Sequence, residues 1–219
     1  MLAHYVASGW AADLAVVTGD IVQDDSRGAY ENFHRILAPL GLPVYCVPGN
    51  HDVPGLMREV LADPPFHYCG TVDIGNWLIT CLDSCVAGRV GGRVPDLELA
   101  RLESGIARSG ADHVMVCVHH PPLPVHSRWL DGVGLENGAE FLARIAAPAK
   151  VRLAIFGHVH QDFEAEHDGI RILTTPSTCR QFAPASDEFA VDDRPPAYRR
   201  IELYRDGRFE HELIWVDMR

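Results

Sequence analysis

The chain has 219 residues, 47% of them apolar, enough for one domain with a buried core. Its 19 Lys and Arg against 30 Asp and Glu give a net charge of −11, which argues against a surface for nucleic acid or anionic lipid, both of which are held by clustered cations. A small phosphate ester remains open to such a chain if a bound metal supplies the positive charge, and 12 His are many for this length.

No apolar run approaches the roughly 20 residues of a bilayer span. Met1 to Tyr5 lacks the basic and apolar stretches of a signal peptide, so a cytoplasmic location is expected. Leu14 to Val17 reads as a buried strand. Tyr30, Phe33, Ile36, Leu37 and Leu40 then keep a helical period, with Ser26 as N-cap and Gly41 as stop. Val44 to Val47 is the next strand, and Trp77 to Leu82 another after a Gly75-Asn76 turn. Asp96 is expected to cap a helix carrying Leu99, Leu102 and Ile106. Strands at Val114–Val118 and Leu153–Phe156 enclose a helix near Glu140–Ala147. Asp168-Gly169 and Asp206-Gly207 mark two hairpins, and Pro184 to Pro196 reads as a surface loop. The order predicts a layered α/β fold with a mixed sheet or two packed sheets. The six Cys are scattered, with Cys46, Cys81 and Cys117 inside strand-like runs, and read as reduced core thiols.

Four of these strands end in metal-suited side chains. Gly19-Asp20 follows the Leu14 strand, and Gly49-Asn50-His51-Asp52 follows the Val44 strand. His119-His120-Pro121-Pro122 follows Val118, and Gly157-His158-Val159-His160 follows Phe156. Taken singly, Gly19-Asp20 is no more than a turn, and one of two adjacent His is commonly a core residue. Together, at the carboxyl ends of strands where α/β folds build sites, they form one donor set of imidazole, carboxylate and amide oxygen. That mixture suits manganese, iron, zinc or a similar ion, and no thiolate accompanies it as in structural zinc sites. A paired site of this kind clamps the oxygens of an in-line phosphoryl displacement.

In this order the segments resemble the calcineurin-like metallophosphoesterases, and within them the bacterial class III 3′,5′-cyclic AMP phosphodiesterases. The likeness also takes in Gly19-Asp20-Ile21-Val22-Gln23-Asp24, Trp129-Leu130-Asp131, Gly157 to Gln161 and Pro176-Ser177-Thr178-Cys179. It implies a sandwich of two mixed β-sheets flanked by helices, and hydrolysis of a small cyclic nucleotide or phosphodiester by a metal-bound hydroxide. It implies that Asp20 bridges two divalent ions, Fe, Mn or similar. Asn50, His119 and His158 would complete one position and His160 would belong to the other. Asp20, Asn50, His51 and His160 would meet the substrate. His51 would protonate the leaving oxygen with Asp52 orienting its ring, and His120 would support the site from behind. Trp129 reads equally as a wall for a base or as a loop Trp, Gly91-Gly92-Arg93 as a surface turn, and Cys179 as a packing residue near the site.

The resemblance also sets an expectation about the start. The family opens with an Asp-x-His motif after a first strand, and no such motif precedes Asp20. The chain is therefore expected to be one domain over 1–219, shortened at its N-terminus and lacking the first strand. It is then expected to hold one ion tightly and to offer only Asp20 and His160 to a second.

Overall fold

The computed structural model describes residues 1–217. Three strands, β1 (Ala15–Val17), β2 (Val44–Cys46) and β3 (Phe66–Tyr68), pair in parallel in that order. Six more, β4 (Gly70–Ile74), β5 (Trp77–Cys81), β6 (His113–Val118), β7 (Val151–Phe156), β8 (Glu164–His167) and β9 (Ile170–Thr174), form a sheet of order β4-β5-β6-β7-β9-β8. The helices are α1 (Leu2–Ala7), α2 (Arg27–Leu37), α3 (Pro54–Val60), α4 (Asp96–Arg108), α5 (Arg128–Asp131) and α6 (Gly138–Ala146).

Alternation along each strand sorts the side chains into layers. Val44 and Cys46 face the α2–α3 side with Tyr30 and Met57. Tyr45 and Val47 point the other way, onto Trp77, Ile79, Met115 and Ile155 of the larger sheet. On that sheet's far face Val114, Val116 and Phe156 pack against Leu99 and Leu102 of α4 and Phe141 and Ile145 of α6. The order is helix, sheet, sheet, helix, as the resemblance implied. Only the larger sheet is mixed, because the links between β1, β2 and β3 cross over through α2 and α3 and leave the described strands parallel.

Local signals explain most elements. Ser26 Oγ accepts the Ala29 N–H at 3.2 Å, and Gly41 closes the helical stretch at φ +68°. Asp168 and Gly169 at φ +49° and +78° turn β8 into β9. Asp96 departs from expectation: Pro95 is the N-cap, and Asp96 lies in the first turn, where its charge faces the helix dipole instead of capping. The stretch read as loop holds part of a small hairpin, β10 (Gln181–Phe182) with β11 (Val191–Asp192). A longer hairpin, β12 (Ala197–Leu203) with β13 (Phe209–Trp215), surrounds Asp206-Gly207. Cys46, Cys69, Cys81 and Cys117 are buried thiols, whereas Cys179 is exposed. No helix among the described residues is long and apolar enough to cross a membrane.

Candidate metal centre

The two parallel pairs, β1 with β2 and β6 with β7, end at one place. His119 Nε2 lies 3.3 Å from Asp20 Oδ2, 3.3 Å from Asn50 Oδ1 and 3.2 Å from His158 Nδ1. Four side chains from four strand ends, drawn from both sheets, thus meet around one point. Two glycines permit this. A Cβ on Gly49 would stand 2.1 Å from Asp20 Oδ1, and one on Gly19 would stand 2.3 Å from His119 Nδ1 at a φ of +100°. Asp20, His158 and His160 also have left-handed backbone, at φ +54°, +66° and +50°. The Gly-His-x-His segment is therefore a coiled turn, not an extended strand that would send its two rings to opposite sides.

Counting hydrogens shows what the cluster lacks. His119 Nδ1–H donates to the Thr18 carbonyl at 2.6 Å, so Nε2 carries a lone pair toward the centre. Asp20 and Asn50 present oxygens there as well. His158 can contribute one hydrogen at Nδ1, but its Nε2, buried and without a partner, is then an acceptor with no donor. With the hydrogen on Nε2 instead, a buried N–H goes unmatched and a further lone pair faces the centre. Either tautomer leaves a buried polar group unsatisfied, at a cost of about 1–3 kcal/mol. One cation at the centre would take the lone pairs that Asp20, Asn50, His119 Nε2 and, in the second tautomer, His158 Nδ1 aim at one another, and the N/O set fits a divalent transition metal. His160 adjoins this group: its Nδ1–H donates to the Arg180 carbonyl at 2.7 Å, which frees Nε2, and its ring feels the Asp20 charge.

By distance alone His119, His120 and His158 also form a possible metal triad. The His120 ring is already committed, however. Its Nε2–H donates to Val90 O at 3.0 Å, and its Nδ1 accepts from Ser84 Oγ at 2.8 Å. It supports the cluster from behind, with its edge against the His119 ring at a centroid distance of 4.8 Å.

Burial raises the Asp20 carboxyl, yet the His119 ring and the His51 N–H at 3.0 Å outweigh it and hold Asp20 well below the ordinary carboxylate range. His158 and His120 are pushed down by burial and by neighbouring imidazoles, His120 to about 3. An unfolded His titrates near 6.5. The unfolded chain therefore takes up protons below that pH that the fold refuses, and stability present above it is lost as the pH falls toward the folded value. The His120 ring is expected to stay neutral to below about pH 5 in the folded protein, and an NMR titration of that ring with a midpoint near 6.5 would contradict the burial argument.

The structure corrects one assignment. Asp52 does not orient His51. Its oxygens accept from Gly49 N–H at 2.8 Å, Ile21 N–H at 3.2 Å and Tyr30 O–H at 2.9 Å, so it braces the turn that carries Asn50 and His51. The His51 ring is met instead by Gln23, whose Nε2–H donates to Nδ1 at 3.0 Å and leaves the hydrogen on His51 Nε2. Thr18, Gln23 and Tyr30 are thus parts of the site that motif spacing does not reveal. Tyr30 also accepts Val53 N–H at 2.8 Å, and its side chain is fully buried. Tyr30→Phe orphans the Val53 N–H and takes one of three donor groups from the Asp52 carboxylate, and is expected to cost about 1–3 kcal/mol. That corresponds to a melting temperature lower by roughly 2–4 °C per kcal/mol, and an unchanged melting curve would remove Asp52 and Tyr30 from the bracing of the turn.

Comparison with known proteins agrees with this geometry. The family model for calcineurin-like phosphoesterases matches residues 2–162. The chain is 38% identical over 205 residues to the 3′,5′-cyclic adenosine monophosphate phosphodiesterase CpdA of Pseudomonas aeruginosa, covering 94% of this chain and 75% of that protein. It is 37% identical over 202 residues to CpdA of Escherichia coli K12, covering 92% and 74%. Among solved structures, a dimetal phosphatase from Danio rerio superposes with a TM-score of 0.66 at 17% identity, over 93% of this chain and 84% of that one. Sequence over most of the length and backbone arrangement lead to one conclusion: the chain belongs to the calcineurin-like phosphoesterase family.

Proposed function

We propose that the protein is a metal-dependent phosphodiesterase that opens 3′,5′-cyclic AMP to AMP at the centre formed by Asp20, Asn50, His119, His158 and His160. The observation that carries the reading is the convergence of donors on His119 Nε2, with the His51 N–H side of its ring left free by Gln23. The names of its relatives support the cyclic nucleotide as substrate. Asp20, Asn50, His119 and His158 would hold one divalent ion, iron, manganese or similar, and Asp20 and His160 are the two donors this chain offers to a second. An ion held there supplies an activated water and draws charge off the phosphoryl oxygens.

The residues themselves do the rest. Asn50 and His51 are carried to the centre by the turn that Asp52 braces, Asn50 Oδ1 lying 3.3 Å from His119 Nε2 and the His51 N–H 3.0 Å from Asp20 Oδ1. His51 turns its free Nε2 side to the departing ribose oxygen and would give it a proton as the P–O bond breaks from a ring that carries hydrogens on both nitrogens, with the Gln23 amide turned so that its oxygen accepts Nδ1–H. The low proton affinity of Asp20 and His158 keeps their donor atoms bare at neutral pH. Purified protein should hydrolyse cyclic AMP with added manganese and lose that activity to a chelator. Turnover of glycerophosphodiesters or alkyl esters far above cyclic AMP would replace this substrate with a broader set.

A further inference from the structure

One group of side chains beside the metal centre has no role in the chemistry above. The Phe182 ring lies flat on His160, with centroids 4.3 Å apart and planes 1° apart. Trp129 and Phe189 stand edge-on to Phe182 at 5.0 Å and 5.5 Å, and to each other at 5.4 Å. Phe189 is 65% exposed, the one aromatic among the strongly exposed large apolar residues described, and it lies in the β10–β11 loop. The same loop is tied to the Trp129 side by an Arg128–Asp187 ion pair of 3.5 Å. Phe189 thus offers solvent an aromatic ring that is continuous, through Phe182, with the His160 ring of the centre.

The geometry points to a purine-stacking subsite: the base of the bound nucleotide lies against Phe189 at the edge of the Trp129–Phe182 cluster while its phosphate sits at the metal centre. The inference rests on the proposed function and adds the part of the substrate that the metal donors cannot read. Three features select a flat heteroaromatic ring as occupant. The surface is made of aromatic rings, it begins one ring away from His160, and its exposed ring, Phe189, is reached from His160 by two ring contacts of 4.3 Å and 5.5 Å, a distance a single nucleotide spans. Aromatic faces attract every base through dispersion and the ring quadrupole, and the larger purine gains more than a pyrimidine. The alternative occupant, an apolar protein segment, has no cause to lie against a phosphate site.

The test compares AMP, the product, which is not consumed, with ribose 5-phosphate, which has the same phosphate and sugar but no base. Binding is read by equilibrium dialysis with manganese present, using wild type, Phe189→Ala and Phe189→Tyr. Phe189 is exposed, so neither change threatens folding. AMP is expected to bind Phe189→Ala about tenfold more weakly than wild type, as loss of one base stack implies. Ribose 5-phosphate is expected to bind all three forms alike, and Phe189→Tyr to restore AMP affinity. Equal AMP affinity in wild type and Phe189→Ala overturns the subsite, as does an equal loss for both ligands. If wild type binds AMP through Phe189 but does not hydrolyse cyclic AMP, the subsite stands and the hydrolase reading fails. If it hydrolyses cyclic AMP with AMP binding indifferent to Phe189, the reverse holds. If it neither binds AMP nor hydrolyses cyclic AMP, both fall.

Discussion

His119→Ala is expected to lower cyclic AMP turnover by on the order of 10³, because it removes the atom around which the other donors are arranged. His119 Nε2 is the common neighbour of Asp20, Asn50 and His158, and its Nδ1–H anchors the β6 end to Thr18 at the β1 end. Truncation to Ala would therefore remove the proposed ligand nitrogen together with a bond between the two sheets. Metal analysis of the purified variant should show the tightly held equivalent lost, with far-UV circular dichroism unchanged. A variant that retains both metal and rate would mean that the four strand ends are not the metal site.

His51→Gln should separate proton transfer from metal binding. Gln keeps a polar side chain beside Gln23 but has no titratable group to deliver a proton. General acid assistance contributes about 10²–10⁴ in rate when the leaving group is a poor one such as a ribose alkoxide. Cyclic AMP turnover is expected to fall by that range, while an ester with a nitrophenol leaving group, which departs without protonation, loses less than about tenfold. Metal content should not change. Equal losses for both esters would make His51 a phosphate-binding residue and not the proton donor.

Much of this arrangement was legible in the sequence because it is local. An apolar run followed by Gly and a donor, as at Val17 to Asp20 and Phe156 to His158, identifies a strand end whatever lies around it. The Ser26 cap and the Asp168-Gly169 turn are likewise short-range and took their expected forms. What escaped depends on contacts between segments far apart in the chain. The partner of Asp52 is Tyr30, 22 residues earlier, and that of His51 is Gln23, 28 residues earlier. Adjacency of Asp52 to His51 suggested a pair, but consecutive side chains in a tight turn point apart, and the carboxylate went to backbone N–H groups. The stack of Phe182 on His160 needs the β10–β11 hairpin folded back over the β7 end, and a two-residue strand leaves almost no periodicity to read.

The left-handed backbone at Asp20, His158 and His160 bears on how this protein tolerates change. A residue with a Cβ in that region costs roughly 1 kcal/mol or more, whereas Gly adopts it freely and Asn at a lower cost. At these three positions the fold would be better served by Gly or Asn, and the donors are kept there against that preference. A library screened for heat resistance alone, without metal, should therefore accumulate Asp20→Asn, which keeps an oxygen for the His51 N–H and offers His119 Nε2 a donor, gaining stability while weakening the metal centre. Any stabilisation campaign on this scaffold needs an activity filter at every round, since its easiest gains lie at the residues it can least spare.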